Sequence, residues 1–189
     1  MIDETSRRSG ELFKSGYRWA ESVLLSVTES RNIQSEIIPK ISTGFCGGIA
    51  RTCGICGAVS GAIMAISLFY GRSSPSEPID ESYIPVKKMI EMFEDRFGTT
   101  NCKQLIGIDL SNEKGRKRWG SPEERHLTMG VKLDIAFFLN GCILNLNSWY
   151  NTSIGTLWTS LLSIHWHRKP VCLYSHHGKG HLRWRKKQK

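Results

Sequence analysis

The N-terminal part of the chain carries apolar side chains at intervals of three and four residues. This spacing places them on one face of a helix, with polar positions on the other. The pattern predicts a single core-facing helix from about Gly10 to Glu29. The residues on the apolar face are Leu12, Phe13, Tyr17, Ala20, Leu24 and Val27.

Three further helices follow from the same kind of pattern. A short helix with isoleucines at positions 33, 37, 38 and 41 is expected to end or kink near Pro39, because proline lacks the N–H that a helix needs. The segment after Cys56 is apolar on nearly all sides, which predicts a buried helix that stops at Gly71. Another helix is predicted with Pro85 in its first turn and Gly98 at its end. The fold class is therefore all-α, a small helical bundle with a cysteine- and glycine-rich loop.

Cys46, Cys53 and Cys56 fall within eleven residues, beside five glycines. The CxxC spacing of Cys53 and Cys56 suits a disulfide or the chelation of one metal ion. Cys102 is predicted to lie in the first turn of a short helix capped by Thr100 or Asn101, where a thiolate is favoured. The four cysteines are candidate catalytic thiols and candidate ligands of an iron–sulfur cluster, zinc or another metal. Buried structural cysteines are the alternative.

The charge of the chain is concentrated at one end. Residues 1–125 hold 17 Lys and Arg against 16 Asp and Glu, whereas residues 126–189 hold 9 against 1. The sequence thus predicts a helical domain over 1–118 and a basic, Trp- and His-rich tail over 119–189 that is poorly structured, disordered or read out of frame. Ser111 is a candidate cap for the basic stretch at the junction. Nucleic-acid binding by the tail is not favoured over a solvated tail, and no membrane span is expected.

No secretory signal is recognised at the N-terminus, so the cysteines are expected in a reducing cytoplasm. Closely spaced cysteines there are more often metal ligands or exchanging thiols than structural disulfides. No serine–histidine–aspartate set, phosphate loop or dinucleotide fingerprint is present. An oxidoreductase activity is compatible with the thiols, but the sequence alone does not establish that the protein is an enzyme.

Three blocks of the sequence resemble the C_GCAxxG_C_C family, whose members are described as redox-active. They are GYRWAESVL, STGFCGGIARTCGICGAVSGAIMAI and FEDRFGTTNCKQLIGIDLSNEKGR, and together they cover about residues 10–118. Cys56 falls on the central cysteine of the family pattern, and Cys102 falls on the third. Trp19 stands where the first cysteine is expected, and no matching fourth cysteine follows Arg118. The tail does not match.

The resemblance implies a helical, redox-linked protein in which Cys46 and Cys53 replace the two missing cysteines. Its relatives include split-Soret cytochromes, but covalent c-type haem is not supported because Gly57, not histidine, follows Cys56. Electron transfer or thiol–disulfide exchange with an unidentified redox partner is the leading function. A structural zinc or binding module and nucleic-acid binding are the alternatives, and a homo-oligomer is compatible with each.

Overall fold

The computed structural model describes residues 4–120, and the prediction of an all-α fold is confirmed over that range. The predictions for the tail lie outside the described residues. Within the described part of the chain, no helix is long and apolar enough to cross a membrane. The elements are α1 (Glu4–Lys14), α2 (Trp19–Ser30), a 3-10 helix (Lys40–Phe45), α3 (Cys46–Ile49), α4 (Gly57–Tyr70), α5 (Asp80–Phe97), α6 (Cys102–Ile106) and α7 (Glu113–Gly120).

The predicted helix from Gly10 to Glu29 is wrong, because α1 and α2 are separate helices that fold back on each other. Gly16 has a φ of +114° and turns the chain between them. The hydroxyls of Ser9 and Ser26 are 2.6 Å apart in the buried interface between the two helices. The apolar spacing continues through the turn, so hydrophobic periodicity alone did not reveal it.

The buried helix α4 begins and ends where the sequence predicts, and it packs closely against α2. A Cβ on Gly61 would lie only 2.6 Å from the carbonyl oxygen of Ala20, so a side chain there would force the two backbones apart. The main core lies between α1, α2, α4 and α5. Its fully buried members include Val23, Leu24, Val27, Val59, Ala62, Ala65, Ile66, Met89 and Phe93.

The two prolines act differently from the prediction. The short helix predicted to end near Pro39 does not form: residues 31–39 are turn and coil, and the 3-10 helix begins directly after Pro39. Pro85 lies inside α5, which begins five residues earlier at Asp80, and α5 ends before Gly98 as predicted. The bounds of these helices shift by about one turn, but their order along the chain holds.

Candidate functional site

A left-handed turn joins Cys46 to Cys53. The five residues from 47 to 51 all have φ between +50° and +71°. The two glycines tolerate this backbone, but the β-branched Ile49 and its neighbours Ala50 and Arg51 are strained by roughly 1–2 kcal/mol each. Backbone hydrogen bonds that hold the turn include those from the N–H of Ala50 to the carbonyl of Gly44 and from the N–H of Gly54 to that of Gly48, both at 2.9 Å. The turn thereby folds the cysteine-rich loop back on itself.

Beyond the turn, the chain pairs with the segment that precedes α6. Ile55 and Asn101 form an isolated antiparallel bridge. The N–H of Cys56 donates to the carbonyl of Thr100 and the N–H of Cys102 donates to that of Gly54, each at 2.8 Å. In such a ladder, residues on either side of the bridge project to the same face. Cys56 and Cys102 are therefore a diagonal pair, which typically has its Cβ atoms about 7 Å apart or somewhat less.

Both cysteines of the diagonal pair are buried, with 6% of each residue exposed. Cys56 is the residue before the first turn of α4, and Cys102 is the first residue of α6. As predicted, Asn101 caps α6, because its side chain accepts a hydrogen bond from the N–H of Gln104 at 3.1 Å. The side-chain amide nitrogen of Asn101, Nδ2, also donates to the carbonyl of Cys53 at 2.7 Å. One side chain thus fixes both halves of the site.

Cys53 is half-buried at the edge of the site, and its sulfur meets a carboxylate. The thiol donates to Oδ1 of Asp109 at 3.2 Å. Nζ of Lys103 lies 2.8 Å from the other carboxylate oxygen, and the N–H of Ser111 donates to Oδ1 at 3.0 Å. The hydrogen bond from Lys103, followed by those from Ser111 and Cys53, lowers the pKa of Asp109 well below its usual range. Asp109 is therefore ionised at neutral pH.

The position of Asp109 is set by α7. Gly115 packs against the Asp109 backbone so closely that a Cβ there would overlap the Asp109 carbonyl oxygen, at 1.7 Å. Asn112, not Ser111 as predicted, caps this helix: its side chain accepts a hydrogen bond from the N–H of Gly115 at 2.8 Å. Ser111 instead binds Asp109.

Cys46 has different neighbours from the other three cysteines. Its thiol donates to the carbonyl of Ser42 at 3.7 Å. Burial raises the pKa of Cys46, and the backbone N–H groups of Ala20 and Glu21 at the start of α2 oppose that shift only in part. Cys46 is therefore expected to stay a protonated thiol at neutral pH.

The expected set of four metal ligands is not assembled in this geometry. Over residues 4–120, no three His, Cys, Asp or Glu side chains are grouped so that they could hold one metal ion. The sulfurs of Cys46 and Cys53 contact Ser42 and Asp109 respectively, whereas Cys56 and Cys102 are a diagonal pair in the ladder. No disulfide links these four cysteines. Over the described residues, this arrangement does not fit a single metal ion or cluster held by all four cysteines.

Sequence reasoning missed Asp109, Lys103 and the role of Asn101 in holding Cys53. Asp109 lies between two buried apolar residues, Ile108 and Leu110, and an acidic residue in such a place was the one available signal. The contact itself joins positions 56 apart in the chain, so local spacing could not reveal it.

The family described as "Putative redox-active protein (C_GCAxxG_C_C)" matches residues 17–129, which include all four of these cysteines. An uncharacterized protein of Archaeoglobus fulgidus is 31% identical over 127 residues, a span that covers 61% of this chain and 83% of that relative. No solved structure matches the chain.

Proposed function

Because the chain belongs to the C_GCAxxG_C_C family of redox-active proteins, we propose that it passes electrons by thiol–disulfide exchange. Cys53 is the entry thiol in this proposal, since it is half-buried whereas Cys56 and Cys102 are buried. Cys56 and Cys102 are the inner thiols. Cys46 lies outside the reaction, because it contacts Ser42 and the start of α2 instead.

The exchange proceeds in two substitutions at sulfur. The Cys53 thiolate attacks one sulfur of a substrate disulfide, forms a new S–S bond and releases the other substrate sulfur as a thiolate. The Cys56 thiolate then attacks the Cys53 sulfur, which forms a Cys53–Cys56 disulfide and releases the second substrate thiolate. Two electrons pass from two cysteines to the substrate disulfide, and the two protons of the cysteine thiols end on the substrate thiols.

Cys102 is a second exchange partner for Cys56. Its thiolate can attack the Cys56 sulfur, form a Cys56–Cys102 disulfide and return Cys53 as a thiolate. A diagonal pair has its Cβ atoms about 7 Å apart or somewhat less, whereas a disulfide needs about 4 Å, so the ladder must shift by a few ångströms to close this bond.

The observation that carries the proposal is the pairing of Gly54–Cys56 with Thr100–Cys102 by two backbone hydrogen bonds. This pairing supports a role for Cys102 in the exchange, because it joins the segment of Cys102 to the CxxC motif, which ends 46 positions earlier in the chain. Reduced cysteines that exchange in this way suit a reducing cytoplasm, which is the compartment we propose. A metal-centred version is not proposed, because the four thiols do not stand as one ligand set.

The test is a stepwise oxidation of the reduced full-length chain with oxidised dithiothreitol, followed by peptide mapping without reduction. Disulfides that join Cys53 to Cys56 or Cys56 to Cys102 are expected, with unchanged helix content by circular dichroism and full recovery after reduction. Cys46→Ser is the matched control and should oxidise like the parent. Cys56→Ser should remove both internal disulfides. Oxidation that yields only bonds between chains, or only bonds to Cys46, would overturn the proposal.

A further inference from the structure

Three cationic side chains, Lys103, Arg116 and Arg51, belong to the segments that flank Cys53 and its partner Asp109. Lys103 binds the carboxylate of Asp109, which accepts the Cys53 thiol. Nη1 of Arg116 donates to the carbonyl of Ser111 at 2.8 Å and to that of Leu110 at 3.3 Å. The third cation is Arg51. The side chains of Lys103, Arg116 and Arg51 are all exposed to solvent.

Arg51 joins this group through the left-handed turn. It precedes Cys53 by two residues, and its Cγ would be 3.4 Å from a Cβ placed on Gly47. The side chain of Leu110 would be 3.7 Å from that same point. Cγ of Arg51 and the side chain of Leu110 thus both lie close to Gly47, on the side of the turn where a Cβ would project.

These segments have an excess of positive charge. Asp109 offsets one of the three cations, and within residues 4–120 neither Arg51 nor Arg116 forms an ion pair with a carboxylate. On α7, Glu113 pairs with Lys117 at 2.7 Å and so does not offset them. The formal net charge of Lys103, Arg116, Arg51 and Asp109 is about two positive units, on segments that flank the half-buried Cys53 in sequence or carry its partner Asp109.

We infer that the substrate of the Cys53 thiol is a disulfide with carboxylates beside its S–S bond. The inference rests on the proposed thiol–disulfide exchange and adds the substrate class. Arg51 and Arg116 would bind the carboxylates, since a guanidinium matches carboxylate geometry with paired hydrogen bonds. When the Cys53 sulfur bonds to one substrate sulfur, the other substrate sulfur leaves as a thiolate. The same positive charge stabilises that leaving thiolate.

Matched disulfide reagents test this directly on the reduced full-length chain. The three reagents are 3,3′-dithiodipropionate, which is a dianion, its neutral diamide, and cystamine, which is a dication. The rate of mixed-disulfide formation at Cys53 is measured by acid quench and peptide mapping. The dianion is expected to react about tenfold faster than the diamide at low salt, with cystamine slowest, as charge steering predicts. This preference should fall at 1 M salt, where screening acts over about 3 Å.

Charge variants separate the cations from the thiol itself. Arg51→Gln and Arg116→Gln should each lower the rate with the dianion severalfold and lower the rate with the diamide by a smaller factor. Lys87→Gln, an equal change of charge on α5, is the control and should alter neither rate. Equal rates for the three reagents, or variants that slow all three alike, would overturn the substrate inference alone. No reaction at Cys53 with any reagent would overturn the exchange reaction as well.

The carboxylates could belong to a small molecule or to a protein, and a second pair of reagents distinguishes these sources. A disulfide-closed peptide with glutamates beside its cysteines is compared with the same peptide carrying glutamines. A preference for the glutamate peptide that exceeds the preference for dithiodipropionate indicates a protein disulfide with acidic flanks. A preference confined to dithiodipropionate indicates a small acidic disulfide. No preference in either pair overturns the inference.

Discussion

Gly48 lies directly against Cys102, although 54 positions separate them: a Cβ on Gly48 would be 2.6 Å from the Cβ of Cys102. The φ of Gly48 is +71°, so its backbone is also left-handed. The same added Cβ would lie 3.1 Å from the nitrogen of Gly54, in the paired segment. The left-handed turn, the ladder and the buried thiol therefore meet at one glycine.

Replacing Gly48 with alanine is expected to destabilise the protein strongly. A left-handed backbone costs a residue with a Cβ roughly 1–2 kcal/mol, and forced repacking adds about 1–3 kcal/mol. Gly44→Ala is the matched control, because nothing lies within 4 Å of a Cβ there and its φ is not left-handed. Urea unfolding should show a loss of roughly 2–5 kcal/mol for Gly48→Ala and a change within about 0.5 kcal/mol for the control. Equal stabilities would contradict the close contact.

Asp109→Asn should lower the stability of the fold at neutral pH and have a smaller effect on stability in acid. The pKa of Asp109 is lowered in the folded state, chiefly by the hydrogen bond from Lys103. Its contribution to stability is therefore fully present above the unfolded value of about 4 and is lost as the pH falls further through the folded value. The difference in urea midpoint between the parent and the variant should be constant from pH 7 to about pH 5 and shrink below about pH 4.

The control for this pH series is Glu113→Gln, which removes one exposed carboxylate of α7. A surface ion pair of this kind contributes little to stability. The control should therefore follow the parent closely at every pH. A gap between the parent and Asp109→Asn that widens in acid would show that the folded state does not favour the Asp109 carboxylate.

Cys46, Cys53, Cys56 and Cys102 are not grouped around one point in residues 4–120, so anaerobically purified protein is expected to show no iron or zinc that depends on Cys56. Ultraviolet–visible spectroscopy and metal analysis measure this, and Cys56→Ser is the companion variant. A brown parent protein whose colour and iron disappear in Cys56→Ser would contradict the expectation. It would shift the function to a cluster held by the same cysteines.

Local signals predicted the parts of the fold that depend on neighbouring residues. The apolar run of α4, the end of α5 before Gly98 and the cap at Asn101 were predicted in this way. The turn at Gly16 was missed because the three- and four-residue spacing of apolar side chains continues through it. Such spacing does not show a change of chain direction. The helix end predicted near Pro39 and the helix start predicted at Pro85 were misplaced because proline is compatible with more than one position at a helix boundary.

The site was predictable only in its residue types. Clustered thiols and glycines identified the loop, but the ladder between Gly54–Cys56 and Thr100–Cys102 depends on chain segments far apart in sequence. The same holds for the contact between Cys53 and Asp109. The CxxC spacing predicted Cys53 and Cys56 as an exchanging or ligating pair, but it gave no sign of the contact between Cys53 and Asp109 or of the diagonal pairing of Cys56 with Cys102.

The left-handed turn also reverses the usual rules of residue preference. Between positions 47 and 51 the backbone has the hand that D-amino acids favour, so alanine, the best residue for an ordinary helix, is poorly suited to position 50. Ala50→Gly is expected to raise the urea midpoint, although the same change weakens a right-handed helix. Substitution tables derived from ordinary helices will therefore misjudge this segment, where a mirror-image residue would fit better than a natural one.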